Sequence, residues 1–419
     1  MKDRFRFILS RLTEKLWVKP LLVCLVSITI AFASQFVDQL WVFQNTPDVK
    51  SESIEMLLEV ISASMLVMAV FAVGSMLAAY QSASRTATPR VFSLIISDDV
   101  SQNALSTFIG AFIFSIVAQV ALINGYYEKE GRFVLFIITI AVFVIVIASF
   151  VKWVDCIAHL GRLSSSIKKI EIATKEALCR IKNRPCLGAM KSKNLKEGFS
   201  VFSSITGYIQ RIDIALLQSV ARSSDMQIEV AVLPGKFVTH NLPLAYIKSD
   251  IEITNESVEV ESVLKAFCID RNRTFDDDPR FGLIALSEIA SRALSPAVND
   301  PGTAIEITGS FVRLFTDFAH VGSKINSVDV EFDRISTPEI SYNDMFEDAF
   351  SAIARDGANN IEVITRIQKA LDTLSTIGCE ATKSAAFSSA KLVLLYAERE
   401  LRLPYEAEKL RAVSAFLDS

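Results

Sequence analysis

Two acidic groups in the second half of the chain have the composition of a reaction centre. One is Asp276-Asp277-Asp278-Pro279, just after Arg273; the other is Asn299-Asp300-Pro301 with Thr303, downstream of Arg292. Carboxylates beside an amide and a hydroxyl are the hard oxygen donors that a divalent cation binds, and metal-activated water would make such a set hydrolytic. The same residues have a simpler use. Asp300 can accept the free N–H groups of a helix that Pro301 begins. Arg273, Asp276, Arg292, Asn299, Asp300 and Thr303 are thus candidates for function or for helix capping, and spacing alone does not show that they converge.

A second set lies in apolar sequence. Glu59 stands against an uncharged run, and Thr107, Ala111, Ser115 and Gln119 recur every four residues, one face of a helix. Such a stripe of hydroxyl, amide and small side chains lets helices approach and share hydrogen bonds, or lines a permeation path. Glu59 reads as an interfacial anchor or as a functional carboxylate. The chain has no phosphate loop, zinc-protease helix motif, nucleophile elbow or Cys-x-x-Cys pair, so the sequence supplies no catalytic residue and no cofactor or metal set. Cys156 and His159 stand three apart without a third ligand, and His240 reads as a turn residue.

The elements that must position these residues are of two kinds. Of the 419 residues, 51% are apolar and 21% charged, which excludes disorder and points to membrane segments. Residues 20–37, 60–84, 100–127 and 133–151 contain no Asp, Glu, Lys or Arg, and each is long enough to cross a bilayer core of about 30 Å as a helix. Four spans are expected, at about 20–40, 58–80, 103–125 and 133–153. Trp17, Trp41 and Trp153 fall at predicted boundaries, where rings rest at headgroup level. Twelve basic residues lie on one side of this arrangement (Lys2 to Lys19, Arg85, Arg90, Lys152, Arg162, Lys168, Lys169) and three on the other (Lys50, Lys129, Arg132). The larger set belongs in the cytoplasm, with both termini. Ala31-Phe32-Ala33 offers a rival signal-peptide cleavage site; whether the first span is cleaved stays open.

The remainder is α+β. Residues 161–200 read as a helical connector, 201–250 as a small β-rich element, and 251–419 as a mainly helical cytoplasmic domain. Pro234-Gly235-Lys236-Phe237-Val238 through Pro243-Leu244-Ala245 resembles half of a biotinyl/lipoyl-like barrel. Carrier function is rejected, because the segment before Ala189-Met190-Lys191-Ser192 reads as helix. Val258–Ile269 is expected as helix and Val328–Phe332 as an acidic strand. Five cysteines beyond the first span have irregular spacing and give no disulfide framework. Residues 161–419 hold no basic surplus, so nucleic acid is excluded as a partner.

Several segments together resemble the bacterial domain-of-unknown-function family 2254 of membrane proteins. They are Thr88-Pro89-Arg90, Gln102 through Gly110, Gly207 through Asp213, Pro234 through Val238, Arg273-Thr274 and Phe281-Gly282. The most distinctive is Arg292-Ala293-Leu294-Ser295-Pro296 with Asn299-Asp300-Pro301 and Thr303-Ala304. Ala297 and Gly302 depart from the family pattern. The resemblance implies multi-span residence in a bacterial inner membrane and carries no activity. The first expectation for function is a channel-like homo-oligomer whose cytosolic domain responds to a small ligand or ion. The alternatives are a membrane-tethered sensor or scaffold, and a metal-dependent hydrolase built on Asp276–Asp278 with Asn299-Asp300.

Overall fold

The computed structural model describes residues 17–36, 47–91, 94, 99–159, 162–193, 196–250, 253–254, 258–320 and 330–418. Lys2 to Lys15, Trp41 and the first two residues of the expected strand at Val328 lie outside them. The chain divides into two compact units, Met1–Ser166 and Ile167–Ser419.

Among its described residues the first unit contains helices α1 (Val18–Phe36), α2 (Ser51–Thr86), α3 (Asp99–Ile123) and α4 (Lys129–His159). Three stretches among the described residues have the length and composition to cross a membrane: Ser51–Ser82, Val100–Ile123 and Lys129–Ile157. The described apolar part of α1, Val18–Phe32, is shorter, so the structure supports three candidate spans where the sequence suggested four. At 36 residues α2 extends for about 54 Å, well beyond a bilayer core.

Helix α2 buries Ile54, Leu58, Ile61, Met65, Ala69, Ala72 and Met76, spaced three or four apart, and exposes Val60, Val67 and Phe71. An apolar residue on both faces is what lipid on one side and protein on the other require. Helix α3 is the most enclosed. Gly110 admits α1 so closely that a Cβ there would lie 2.3 Å from Val23 Cγ1. The Tyr127 hydroxyl donates to the Ala31 carbonyl at 2.9 Å, fastening the other end of α1. Trp153, which the sequence placed at a span boundary, is enclosed by protein rather than turned outward. It is fully buried, with Phe71 and Phe108 edge-on at 5.8 Å. Apolar neighbours on α2 and α3 thus cover the indole.

Most of the amphipathic helix α5 (Leu163–Asn183) belongs to the second unit, which begins at Ile167. A left-handed turn follows, with Cys186 and Leu187 at φ 50° and 57°. The strands are β1 (Ala189–Lys191), β2 (Phe199–Phe202), β3 (Gly207–Ile212), β4 (Gln227–Val230), β5 (Phe237–Val238), β6 (Pro243–Lys248), β7 (Phe267–Asp270) and β8 (Phe332–Thr337). They form two open sheets, β1-β8-β4-β6-β2 and β5-β3-β7. Among the described residues no barrel closes, which corrects the barrel-like reading of 201–250. The strands of that segment are shared between the sheets, and each sheet recruits strands from elsewhere. β8 enters between β1 and β4, parallel to both. Its Ile335 pairs with Ile228, so the centre of the larger sheet is built from a contact more than a hundred residues long. Ala189-Met190-Lys191 is an edge strand, with Lys191 held by Glu339 at 2.5 Å.

Val201, Ile209, Ile228, Val230, Leu244, Ile247 and Ile335 fill the core of this β region. Helix α6 (Ile214–Ser223), capped by Asp213, adds Leu217 to it. The expected helix at 258–269 ends early. Helix α7 covers Val258–Leu264, and the chain then extends as β7 because its Phe267, Cys268 and Ile269 pair with β3.

The helices that follow are α8 (Pro279–Ala293), α9 (Pro301–His320), α10 (Tyr342–Asp356), α11 (Ile361–Ser375), α12 (Glu380–Glu400) and α13 (Pro404–Val413). Phe311 and Phe315 of α9 meet Phe350 and Phe346 of α10 at 5.3 and 4.4 Å, an aromatic core that fixes the pair.

Candidate functional site

At the start of α8 four separate pieces of sequence meet. Asp278 is the N-cap: its carboxylate accepts the Phe281 N–H at 3.2 Å. The same carboxylate takes two hydrogen bonds from Arg273, from Nε at 2.7 Å and Nη2 at 2.9 Å. The side chains are only 3% and 16% exposed, so this bidentate pair sits in low dielectric, where its geometry matters most. Burial pushes the Asp278 carboxyl up, and the Arg273 guanidinium and the Phe281 N–H oppose it. The guanidinium also lies 5.2 Å from the centre of the Phe281 ring.

Gly235 closes the arrangement from the β region. Its φ is +88°, and a Cβ would stand 2.2 Å from Asp278 Oδ2. Only glycine lets the Pro234-Gly235 turn pass over the carboxylate. One turn into α8, Gly282 faces α5 so closely that a Cβ would be 1.9 Å from Thr174 Oγ1. Arg280 points the other way, to Asp348 at 2.6 Å and Asp344 at 2.5 Å on α10. The start of α8 is therefore a junction of α5, α8, α10 and the β5 turn. Chemically it clamps charges; both Asp278 oxygens are occupied.

Asp276 does not join this junction. It is exposed, and Arg180 of α5 donates to its main-chain carbonyl. Asp277 lies 3.5 Å from Arg180 Nε.

The Asn299–Thr303 group sits beyond the other end of α8. Ser295 starts a tight loop in which its carbonyl accepts the Val298 and Asn299 N–H groups at 3.0 and 2.8 Å. Asn299 adopts φ +50°, a left-handed conformation that asparagine tolerates. Asp300 then caps α9, accepting the Thr303 N–H at 3.2 Å and the Thr303 hydroxyl at 2.6 Å. Pro301 takes the first helical position. Arg292, Asn299 and Asp300 are exposed, and Thr303 is buried.

The two acidic groups are thus separated by the full length of α8, 15 residues or about 22 Å. They cannot share one cation, and among the described residues no three His, Cys, Asp or Glu side chains gather as a metal set. The hydrolase reading required convergence, and the helix between them prevents it. Of the other polar residues named from the sequence, His240 has its Nδ1 2.9 Å from the Ser203 carbonyl oxygen, and Cys156 has its Sγ 3.8 Å from Ser101 Oγ.

The apolar set is arranged otherwise. Glu59 is exposed on α2 and its main-chain carbonyl accepts the Ser62 hydroxyl at 2.9 Å. Ser115 is fully buried on α3 and its hydroxyl donates to the Ala111 carbonyl at 2.8 Å. Thr107 does the same to Asn103 at 2.8 Å, and is half-buried, as is Gln119. The two hydroxyls of the stripe are thus satisfied by the backbone of their own helix.

Sequence reasoning named Arg273 and the run Asp276–Asp278, singling out Asp276 within it; it read Gly235 only as part of a turn and did not name Thr174. A signal for Asp278 was present. An Asp directly before a proline that begins a helix is the same cap pattern recognised at Asp300-Pro301.

Residues 13–373 match the model of a family described as predicted membrane protein (DUF2254). An uncharacterized protein of Mycobacterium bovis is 22% identical over 424 residues, covering 96% of this chain and 79% of that protein. An uncharacterized protein of Mycobacterium tuberculosis strain H37Rv is similar to the same extent. No solved structure matches the chain.

Proposed function

Because the chain belongs to the DUF2254 family of predicted membrane proteins, we propose that its apolar helices anchor a sensor or scaffold unit to the membrane. Residues 1–160, with α1 as a fourth span, hold a larger cytoplasmic part in place, and the protein is a homo-oligomer of a bacterial inner membrane. The twelve-to-three division of basic residues supports that orientation.

One observation carries the choice over permeation. Ser115, at the centre of the polar stripe, is enclosed within the protomer and bonded to its own helix, so it offers a solute nothing. What the helices turn outward is apolar, including Val67 and Phe71 of α2 and Phe143, Val144 and Ile147 of α4. The second unit, by contrast, has a core and an ionic junction far beyond what an anchor needs.

Permeation remains the second reading, because Thr107 and Gln119 stay half-buried and reachable by a neighbouring copy. Flux measurements separate the two. Full-length protein in liposomes should pass ions and small solutes no faster than protein-free vesicles. A flux that Gln119→Leu abolishes would overturn the anchor reading.

A further inference from the structure

We propose that an exposed apolar patch on the β region of the second unit docks on the surface of an anionic bilayer. The patch surrounds the turn Ser203–Thr206, which joins β2 to β3. Phe202 and Ile205 are 43% and 56% exposed there. The Ser203 hydroxyl donates to the Ile205 carbonyl at 2.8 Å, and the Ser203 carbonyl oxygen lies 2.9 Å from His240 Nδ1, so the chain after β5 borders the same turn. Strand β5 pairs with the start of β3 and adds Phe237, 48% exposed, its ring 5.0 Å from that of Tyr208. All of these residues belong to the second unit.

Single apolar side chains on a surface need no explanation, but three large ones around one turn mark a contact face. The charge around them selects the occupant. In residues 198–210 and 230–247 the only Asp, Glu, Lys or Arg is Lys236, which is exposed. Sheet register brings Asp270 alongside, opposite Tyr208, with exposed Arg271 next to it. The patch is thus apolar with a positive margin, in a part of the chain that has no basic surplus. That composition complements the headgroup boundary of an anionic bilayer, where apolar rings enter the acyl edge and a cation meets phosphate. The chain supplies proximity. The second unit begins at Ile167, ten residues after Ile157, where the last stretch able to cross a membrane ends. Ten residues reach at most about 36 Å, which confines the unit to the membrane and makes even a shallow contact effective.

This inference rests on the membrane reading of the helices. The test uses full-length protein with its six cysteines replaced and a nitroxide attached at Thr206→Cys, an exposed position in the turn. In bilayers of phosphatidylcholine with phosphatidylglycerol, the ratio of collisions with oxygen to collisions with a water-soluble nickel chelate should be severalfold higher there than at Leu395→Cys, 65% exposed on α12. High salt should reduce the difference. Lys236→Gln should weaken the docking read by that ratio about fivefold, and Phe202→Ser/Phe237→Ser should abolish it. A label at Thr206→Cys as open to nickel as that at Leu395→Cys would overturn the proposal, as would a ratio that neither variant changes. Protection from both reagents, in bilayers and in detergent alike, would assign the patch to a protein partner and also overturn it. A label at Val144→Cys, 58% exposed on α4, tests the membrane reading separately. If oxygen does not reach it preferentially, that reading has failed; if it does and Thr206→Cys stays in water, only the docking has.

Discussion

Asp278→Ala is expected to lower the stability of the second unit by about 3–5 kcal/mol, more than any other single change among the candidate residues. The substitution strands the Arg273 guanidinium, 16% exposed, without its carboxylate, and removes the acceptor of the Phe281 N–H. Loss of the cap contributes about 1 kcal/mol of this, and the unpaired buried charge the remainder. Asp276→Ala, two residues away, should change stability by no more than about 0.5 kcal/mol, because its partner Arg180 reaches the main chain. Asp300→Ala should fall between them, at about 1 kcal/mol, the cost of a cap in an exposed loop. Hydrogen exchange at the amides of α8 and α9 in the detergent-solubilised protein reads all three. Equal effects for Asp276 and Asp278 would remove the clamp from the account.

Gly282→Ala is the second large effect, and its sign decides between two physical terms. In an isolated helix the change would stabilise by about 1 kcal/mol. Here the new methyl would stand 1.9 Å from Thr174 Oγ1 and 2.9 Å from Thr174 Cβ. Thr174 is buried, β-branched and bonded to the Ile170 carbonyl at 2.6 Å, so it cannot swing aside. Helices α5 and α8 must separate, at a cost of about 1–3 kcal/mol or more, and the net result is destabilising. Thr174→Ala in the same chain should recover part of the loss. Unfolding of the four proteins of this cycle should show a coupling of about 0.5–3 kcal/mol. A stabilised Gly282→Ala protein would mean that propensity governs and that the close approach is wrong.

What the sequence disclosed depended on how local the determining contacts are. The apolar helices were legible because lipid imposes a simple rule on length and charge, and α2, α3 and α4 obey it over uncharged runs. Asp300 was legible as a cap because cap, proline and Thr303 are adjacent. The sheets were not. β8 pairs with β1 and β4 from across more than a hundred residues, and periodicity within 201–250 could not reveal which strands would be shared. The turn at Pro234-Gly235 was visible as a turn, but its purpose lies in Asp278, which another part of the chain delivers. The surroundings of Trp153 were hidden for a related reason. Its position near the end of an apolar run suggested the interface, whereas Phe71 and Phe108 enclose it. Within Asp276–Asp278 the sequence could not say which carboxylate is buried, because three consecutive aspartates look alike until a helix start selects Asp278 as its cap.

The most direct test of the whole account is which side of the membrane each part occupies. In a chain whose own six cysteines have been replaced, one new cysteine is introduced at Lys50 or at Lys391, both exposed positions. Intact spheroplasts are then treated with a thiol reagent that does not cross membranes. The account predicts labelling of Lys50→Cys in intact spheroplasts, and labelling of Lys391→Cys only after the membrane is opened. Labelling of Lys391→Cys from outside, or of neither position until lysis, would contradict it.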